Sequence, residues 1–167
     1  MRGSNQYRTK PGTRLLAPVA ALLSQIANVR QQRELTASTR QATQNREAFA
    51  AGSKQRAQNP DWWVRAETAK HPNCPPEVMQ QLAHDLEPAV RHNVAANPHT
   101  PPAVLEQLAA DPEPDVRWYV ADNPATPDET LQRLLSDPYQ TIAQQAAANP
   151  GLPPAAIAMW QLTRDQQ

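Results

Sequence analysis

The chain has one cysteine, four glycines and few aromatic residues, and each shortage excludes a class of protein. A single cysteine excludes an internal disulfide framework and any metal or iron–sulphur site made of cysteines alone. No apolar run reaches the roughly 18 residues that a membrane-spanning helix needs. The few glycines exclude a glycine-rich linker, and no glycine-rich phosphate-binding loop is present.

Patterns typical of catalysis and of metal binding are also missing. No nucleophile, base and orienting residue form a recognisable set, and the acids are spread along the chain rather than paired. The histidines and the cysteine fall in one stretch, but their spacing matches no zinc-binding pattern. These residues are His71, Cys74, His84, His92 and His99. We therefore expect no enzymatic activity, no cofactor and no metal site.

Proline, in contrast, is abundant, and most of the 18 prolines recur at a fixed period. Pro72, Pro98, Pro124 and Pro150 are each 26 residues apart. The same step relates the residues of several apolar columns, such as Leu82, Leu108 and Leu134, or Val64, Val90 and Val116. Self-similarity at a period of about 20–50 residues is the signature of a stacked-repeat protein.

The sequence of each repeat unit predicts two short helices. Thr100 or Thr126 is placed to cap the first helix of its unit, and the proline that follows suits the first helical position. The prolines within residues 111–114 end this helix. The second helix carries Val116 and Val120 on one face, and Asn123 follows it at a position where asparagine tolerates the left-handed conformation. Helices this short are not stable alone, so each must pack against its neighbours.

The units share the pattern Asn-Pro-x-Thr-Pro-Pro-x-Val-Leu-x-x-Leu-Ala-x-Asp, followed by Pro-x-Val-Arg-x-x-Val-Ala. This pattern resembles the leucine-rich repeat variant family over about residues 61–162. The resemblance implies an all-α, right-handed solenoid of alternating α- and 3₁₀-helices, without enzymatic activity. The Asp and Val-Arg steps also resemble HEAT-type repeats, which would give two α-helices per unit, although a 26-residue period is short for them. Some family members carry an N-terminal iron–sulphur cluster, which we do not expect here because the first 73 residues contain no cysteine.

Charge divides the chain into a basic and an acidic part. Residues 1–60 contain ten Lys/Arg and two Asp/Glu, whereas residues 61–167 contain six against fourteen. We expect a disordered basic tail over residues 1–14, a separate N-terminal helix and linker over residues 15–53, and a solenoid of 26-residue units over residues 54–167. Gly52 and Ser53 are expected to end the helical segment.

The predicted N-terminal helix has an apolar stripe whose members are spaced alternately four and three residues apart, as in a coiled coil. The stripe consists of Leu15, Val19, Leu22, Ile26 and Val29. We favour a cap on the first repeat over a homodimer contact, and a membrane-surface helix is a weaker third interpretation. The stretch is loosely signal-like, but Pro18 interrupts it and no clear cleavage pattern follows, so the sequence favours the cytoplasm.

Tryptophans mark both ends of the repeat array. Trp62 and Trp63 are expected to cover the open N-terminal end of the stack. Trp160 occupies a leucine column and is expected to cap the other end, since terminal repeats need a different outer face.

Arginines and aspartates recur with the repeat, as Arg65, Arg91 and Arg117 and as Asp85, Asp111 and Asp137. The favoured interpretation is a structural Arg–Asp ladder between neighbouring units. The other is an arginine stripe that binds phosphate or carboxylate, because the guanidinium group suits both.

The positions after these arginines vary between units, and variable positions of a solenoid are the ones that contact a ligand. Trp118 and Tyr119 are adjacent, so at least one is expected to be exposed. We predict a non-catalytic scaffold that binds an unidentified protein partner through a helical surface. The predicted partner-binding residues are His92, Asn93, Arg117, Trp118 and Tyr119.

The alternative function is nucleic-acid binding by the basic N-terminal 60 residues, which would contact the phosphate backbone. The residues predicted for this role are Arg2, Arg8, Lys10, Arg14, Arg30, Arg33 and Arg40.

Overall fold

In a computed structural model, the backbone is described for residues 16–164 and the side chains for residues 21–162. This part of the chain contains nine α-helices and no strand. The chain divides into two compact units, Met1–Asn45 and Arg46–Gln167. The expected all-α helical-repeat fold is confirmed.

One long helix precedes eight short ones. The helices are α1 (Leu16–Arg56), α2 (Trp62–Lys70), α3 (Pro76–Leu82), α4 (Pro88–Ala96), α5 (Pro102–Leu108), α6 (Pro114–Asp122), α7 (Asp128–Leu134), α8 (Gln140–Ala148) and α9 (Pro154–Arg164). The helices α3, α5, α7 and α9 are the first helices of their units, and α2, α4, α6 and α8 are the second helices. Equivalent helices α4 and α6 begin 26 residues apart, as the proline period predicts.

Proline positions set where these helices begin. Pro88 and Pro114 occupy the first turn of α4 and α6, where the missing N–H has no helical partner to lose. Both helices of every unit are α-helical, so the expectation of alternating α- and 3₁₀-helices is wrong. The physical reason is that the seven to nine residues between helix breaks are enough for i→i−4 hydrogen bonds. This bonding extends one residue beyond α5, where the N–H of Ala109 donates to the carbonyl oxygen of Leu105 at 2.9 Å.

The core of the repeat array lies between the two layers of helices. Second helices pack directly on the second helices of adjacent units. Alanines at the contact, such as Ala69, Ala95 and Ala121, are fully buried, and their small side chains permit a close approach. Valines and leucines fill the remaining core, including Val90, Val94, Val116, Val120, Leu105 and Leu108. The periodic columns of the sequence are therefore the buried columns of the structure.

Thr100 and Thr126 do not cap the helices that follow them, so that prediction is wrong. The N-cap positions are occupied by Pro101 and Pro127, and neither makes a side-chain cap. Each threonine is buried and donates its hydroxyl back to the preceding second helix. The acceptor of Thr126 is the carbonyl oxygen of Val120 at 2.6 Å.

The asparagines that follow α4, α6 and α8 are also not in the left-handed conformation. Asn97 has φ −74° and ψ 121°, and no described residue has a positive φ. Its side chain is buried and donates to two carbonyl oxygens of the preceding unit, Ala69 at 2.7 Å and His71 at 3.1 Å. Asn123 and Asn149 make the same pair of bonds in the next units. Asparagine is placed here by hydrogen bonding between units rather than by its backbone preference.

The N-terminal end of the array is closed by the end of α1 instead of by the tryptophans. Trp62 and Trp63 are 49% and 57% exposed, so the expectation that they cover the stack is wrong. Ser53 and Ala57 are buried, and Phe49 packs against the same core. At the other end, Trp160 is half-buried and donates its indole N–H to the carbonyl oxygen of Leu135 at 3.0 Å.

Helix α1 continues through Gly52 and Ser53 and ends at Arg56, because Ser53 is a buried helical residue rather than a breaker. Every side chain from residue 21 to residue 48 is exposed. Leu22, Ile26 and Val29 of the apolar stripe are therefore exposed, at 42–57% of their surface. Leu15 and the side chain of Val19 lie outside the described residues, and the cap interpretation of the stripe stays a prediction.

Candidate protein-binding surface

One surface of the repeat array consists of the outward positions of the second helices. Positions two, five, six and nine of each helix share a face because they are three and four residues apart. We call this surface the second-helix face. Its members are Trp63, Glu67 and Lys70 in α2, where Ala66 at position five is buried, Ala89, His92, Asn93 and Ala96 in α4, Asp115, Trp118, Tyr119 and Asp122 in α6, and Thr141, Gln144, Gln145 and Ala148 in α8.

Three rings form a cluster on this face. Trp118 and Tyr119 meet edge to face, with centroids 5.1 Å apart and planes at 82°. Tyr119 stacks on His92 of the preceding unit at 3.9 Å. Both Trp118 and Tyr119 are half-buried and pack partly against the core, so neither is as exposed as expected. The cluster is thus a pre-ordered aromatic surface that bridges α4 and α6.

The half-buried position of His92 disfavours the charged form of its imidazole. Burial lowers its pKa below the ordinary value, although the nearby charge of Asp115 acts in the opposite direction. An uncharged ring stacks on Tyr119 without bringing a positive charge to the cluster.

Two carboxylates flank the aromatic pair. Asp115 and Asp122 are exposed and lie one helical turn before and after it. Asp122 accepts a hydrogen bond from Gln145 of α8 at 2.7 Å. The sequence interpretation missed both residues, although the i, i+3, i+4, i+7 spacing of Asp115, Trp118, Tyr119 and Asp122 is visible in the sequence.

Asn93 is half-buried, and its side-chain amide donates to the carbonyl oxygen of Ala89 in its own helix at 2.8 Å. Its position equals that of Tyr119 in the next unit. The face therefore changes from polar to aromatic between α4 and α6.

Arg117 lies beside the aromatic pair in sequence but is engaged elsewhere. Its Nε and Nη2 donate to the two carboxylate oxygens of Asp137 at 2.7 and 3.2 Å. Its Nη1 donates to the carbonyl oxygens of Asp111 and Pro112. Only 12% of its side chain is exposed. The structure thus places His92, Asn93, Trp118 and Tyr119 on one face, and Arg117 in a contact between units.

The same bidentate pair recurs as Arg65–Asp85 and Arg91–Asp111, with shortest distances of 2.6 and 2.7 Å. The structural Arg–Asp ladder is confirmed. Where α8 has Ala143 at the arginine position, the partner position holds Thr163 instead of aspartate, so both members of the pair are absent together.

Hydrogen bonding favours the ionised form of two ladder carboxylates, Asp85 and Asp137. Burial alone would raise the pKa of Asp85 and of Asp137. The hydrogen bonds from their arginines and from backbone N–H groups, together with the arginine charges, outweigh this effect and hold both pKa values below the ordinary one. For Arg65, Arg91 and Arg117, the hydrogen bond to aspartate is the largest influence and raises the pKa.

The remaining charge of the described array is strongly acidic. Within residues 61–162, setting the three Arg–Asp pairs aside leaves two basic and ten acidic side chains. The two basic ones are Lys70 and Arg133, and Arg133 contacts the exposed Glu106 at 3.4 Å. A partner of this surface therefore meets negative potential.

The basic residues of α1 are exposed. Arg30, Arg33 and Arg40 have no ion pair with any described residue. Arg2, Arg8, Lys10 and Arg14, which the nucleic-acid alternative also includes, lie outside the described residues.

The histidines are dispersed. His71 stacks on Phe49 at 3.5 Å, and the ring of His84 contacts Gln107 at 3.2 Å. Among the described residues, no three His, Cys, Asp or Glu side chains come together as ligands for a metal. Within residues 16–164, no helix is both long enough and apolar enough to span a membrane.

These contacts define an α-helical repeat protein whose units are tied together by asparagine and Arg–Asp ladders. The family model described as leucine rich repeat variant matches residues 88–113, which comprise α4 and α5. The resemblance is thereby confirmed over this segment, which is similar to one unit of the leucine rich repeat variant family. Comparisons with curated proteins and with solved structures gave no match.

Proposed function

We propose that the repeat array is a non-catalytic scaffold that binds a protein partner through the second-helix face. The observation that carries this proposal is the cluster of His92, Trp118 and Tyr119. Rings held by stacking lose little conformational entropy on binding, and tryptophan and tyrosine dominate the energetics of protein interfaces.

The construction of the array supports the same conclusion. The ladders keep neighbouring second helices in fixed register, so outward side chains of successive units form one continuous surface. Such rigid, extended surfaces are what helical-repeat proteins use in recognition. In this proposal His92, Asn93, Trp118 and Tyr119 contact the partner, and Arg117 positions α6 through Asp137.

Site-specific photo-crosslinking tests the proposal. A photoreactive residue replaces exposed Gln144 on the second-helix face or, as the control, exposed Gln132 on α7. We expect the same partner protein to be crosslinked from position 144 in repeated preparations, and not from position 132. Equal crosslinking from both positions would contradict the assignment of the binding face.

Nucleic-acid binding by the basic segment is the second candidate function. The exposed, unpaired Arg30, Arg33 and Arg40 favour it, because phosphate contacts need accessible cations. Binding of labelled DNA by the full chain would weaken steeply with salt. Replacing Arg2, Arg8, Lys10, Arg14, Arg30, Arg33 and Arg40 by glutamine would remove it, and unchanged binding or no binding at low salt would eliminate this function.

Self-association through the stripe on α1 is the third proposal, carried by the exposure of Leu22, Ile26 and Val29. A long helix with an exposed apolar stripe is stabilised by pairing with a second helix. Sedimentation should show a dimer that Leu22→Gln/Ile26→Gln dissociates and that Leu35→Gln, exposed but off the stripe, does not. A monomer at all concentrations would contradict it.

A further inference from the structure

Trp118 and Tyr119 of α6, with Asp115 and Asp122 beside them, form a corner whose charge and rings favour one kind of ligand. Trp118 and Tyr119 meet edge to face at 82°, and His92 stacks on one face of Tyr119 at 3.9 Å. Asp115 lies four residues before Tyr119, and Asp122 lies four residues after Trp118. Residues at this spacing are neighbours on a helix, so each ring has a carboxylate beside it.

The charged side chains of the second-helix face that lie beside this corner are the two carboxylates of α6 itself, and the neighbouring positions of α4 carry no Asp, Glu, Lys or Arg. Burial lowers the pKa of His92 and so favours its neutral form, although the charge of Asp115 acts in the opposite direction. The neighbouring positions in α8 are uncharged, and Arg117 is neutralised by Asp137. Of the residues named for this face, the single cation is Lys70, two units away on α2.

Aromatic faces and carboxylates both attract cations, the former through the ring quadrupole and the latter through charge. A phosphate or a carboxylate would be repelled at the same place. The corner lies on an open helical face, so a free small cation would find too few contacts there, whereas a peptide would continue along the neighbouring second helices.

We propose that the corner formed by Asp115, Trp118, Tyr119 and Asp122 receives a lysine or arginine side chain from a basic peptide segment of the protein partner. This inference rests on the proposed function and specifies the chemistry of the partner. The ammonium or guanidinium group lies against the exposed part of the half-buried Trp118 and Tyr119 rings, and the two carboxylates offset its charge.

Calorimetric titration of the full chain with short peptides tests this assignment. One peptide alternates glycine and arginine, one has lysine in place of arginine, and one has neutral citrulline. We expect the cationic peptides to bind and the citrulline peptide to bind at least about tenfold more weakly, since it removes both the cation–π and the charge contribution. Equal binding of the citrulline peptide would overturn the proposal.

Matched variants separate the corner from general acidity. Asp115→Asn/Asp122→Asn and Asp128→Asn/Glu129→Gln remove the same charge, the latter from exposed positions of α7. Trp118→Gln/Tyr119→Gln introduces the residues found at the equivalent positions of α8, and Trp62→Gln removes an exposed aromatic ring elsewhere. We expect a loss of about tenfold from each corner variant and less than about twofold from each control.

An equal loss from the α7 variant would show attraction by net charge alone and would overturn the proposal. Circular dichroism of each variant shows whether it is folded, and the single changes Asp115→Asn and Asp122→Asn test the corner if the aromatic variant unfolds. If the crosslinking at position 144 identifies a partner while no cationic peptide binds, the proposed function stands and this inference fails.

Discussion

Asn97 donates its side-chain amide to the carbonyl oxygens of Ala69 and His71, one repeat earlier in the chain. Its Oδ1 accepts the backbone N–H of His99 at the same time. One side chain therefore satisfies two buried carbonyls of one unit and a loop amide of the next. In the first unit, His71 occupies the equivalent position and accepts the N–H of Asn73 through Nδ1.

Asn123→Asp should destabilise the array strongly, because a carboxylate cannot donate to the carbonyl oxygens of Ala95 and Asn97 and would be buried. We expect a loss of about 3–5 kcal/mol in the free energy of unfolding. Asn93→Asp is the matched control, since Asn93 is half-buried and bonds within its own helix. Urea unfolding followed by circular dichroism measures both, and comparable losses would refute the role of the asparagine ladder.

Thr126→Val should remove the buried hydroxyl that donates to Val120 at 2.6 Å, at nearly constant volume. The expected cost is about 1–2 kcal/mol, since the carbonyl loses its side-chain donor. The last unit has Leu152 at this position, so the site itself accepts an apolar side chain. Thr36→Val on exposed α1 is the control, and its effect on the free energy of urea unfolding should stay below about 0.5 kcal/mol. If Thr126→Val were as stable as the parent chain, the hydroxyl contact would have no stabilising role.

The Arg–Asp ladder should make stability depend on pH. The pKa values of Asp85 and Asp137 lie below their ordinary value in the folded chain. Their stabilising contribution is therefore complete above about pH 4 and is lost as pH falls through the folded-state pKa. Urea unfolding at a series of pH values should show stability declining below about pH 4.

Asp137→Asn should lower stability at neutral pH by about 3 kcal/mol and flatten the acid decline, because Arg117 loses its buried counter-ion. Glu106→Gln is the control, since Glu106 and Arg133 are both exposed and such pairs contribute less than about 1 kcal/mol. An acid decline of the same steepness in Asp137→Asn would show that other groups cause it.

Cys74 should react slowly with alkylating reagents. Burial raises the pKa of its thiol to about 11, with a smaller contribution from the charge of Glu77. Since the thiolate is the reactive species, only about one molecule in a thousand is reactive at pH 8. The rate of iodoacetamide labelling, followed by mass spectrometry, should rise strongly on adding urea; equally fast labelling of the folded chain would contradict the buried position.

The repeat architecture could be predicted because its determinants recur at one period. Leu108, Val116 and the Arg91–Asp111 pair each have equivalents in other units, and the proline breaks confine each helix. The roles of Thr100 and Asn97 could not be predicted from the repeat period. Both have strong local preferences, for capping and for the left-handed conformation, yet contacts with other segments decide their positions.

The candidate site was predictable only in part. Trp118 and Tyr119 could be identified from their variability between units, but the stacking of Tyr119 on His92 depends on the spacing between α4 and α6. The sequence predicts Trp62 and Trp63 at the end of the stack because it does not show that α1 reaches Arg56 and closes this end itself.

The central claim is that the second-helix face binds a protein partner, and the most direct measurement is crosslinking from position 144 in the Trp118→Gln/Tyr119→Gln variant. Unfolding measured on the same sample establishes that the repeat array is folded. The account predicts a folded variant that loses crosslinking of the partner, while Trp62→Gln retains it. A folded Trp118→Gln/Tyr119→Gln chain that crosslinks the partner as well as the parent does would contradict the account.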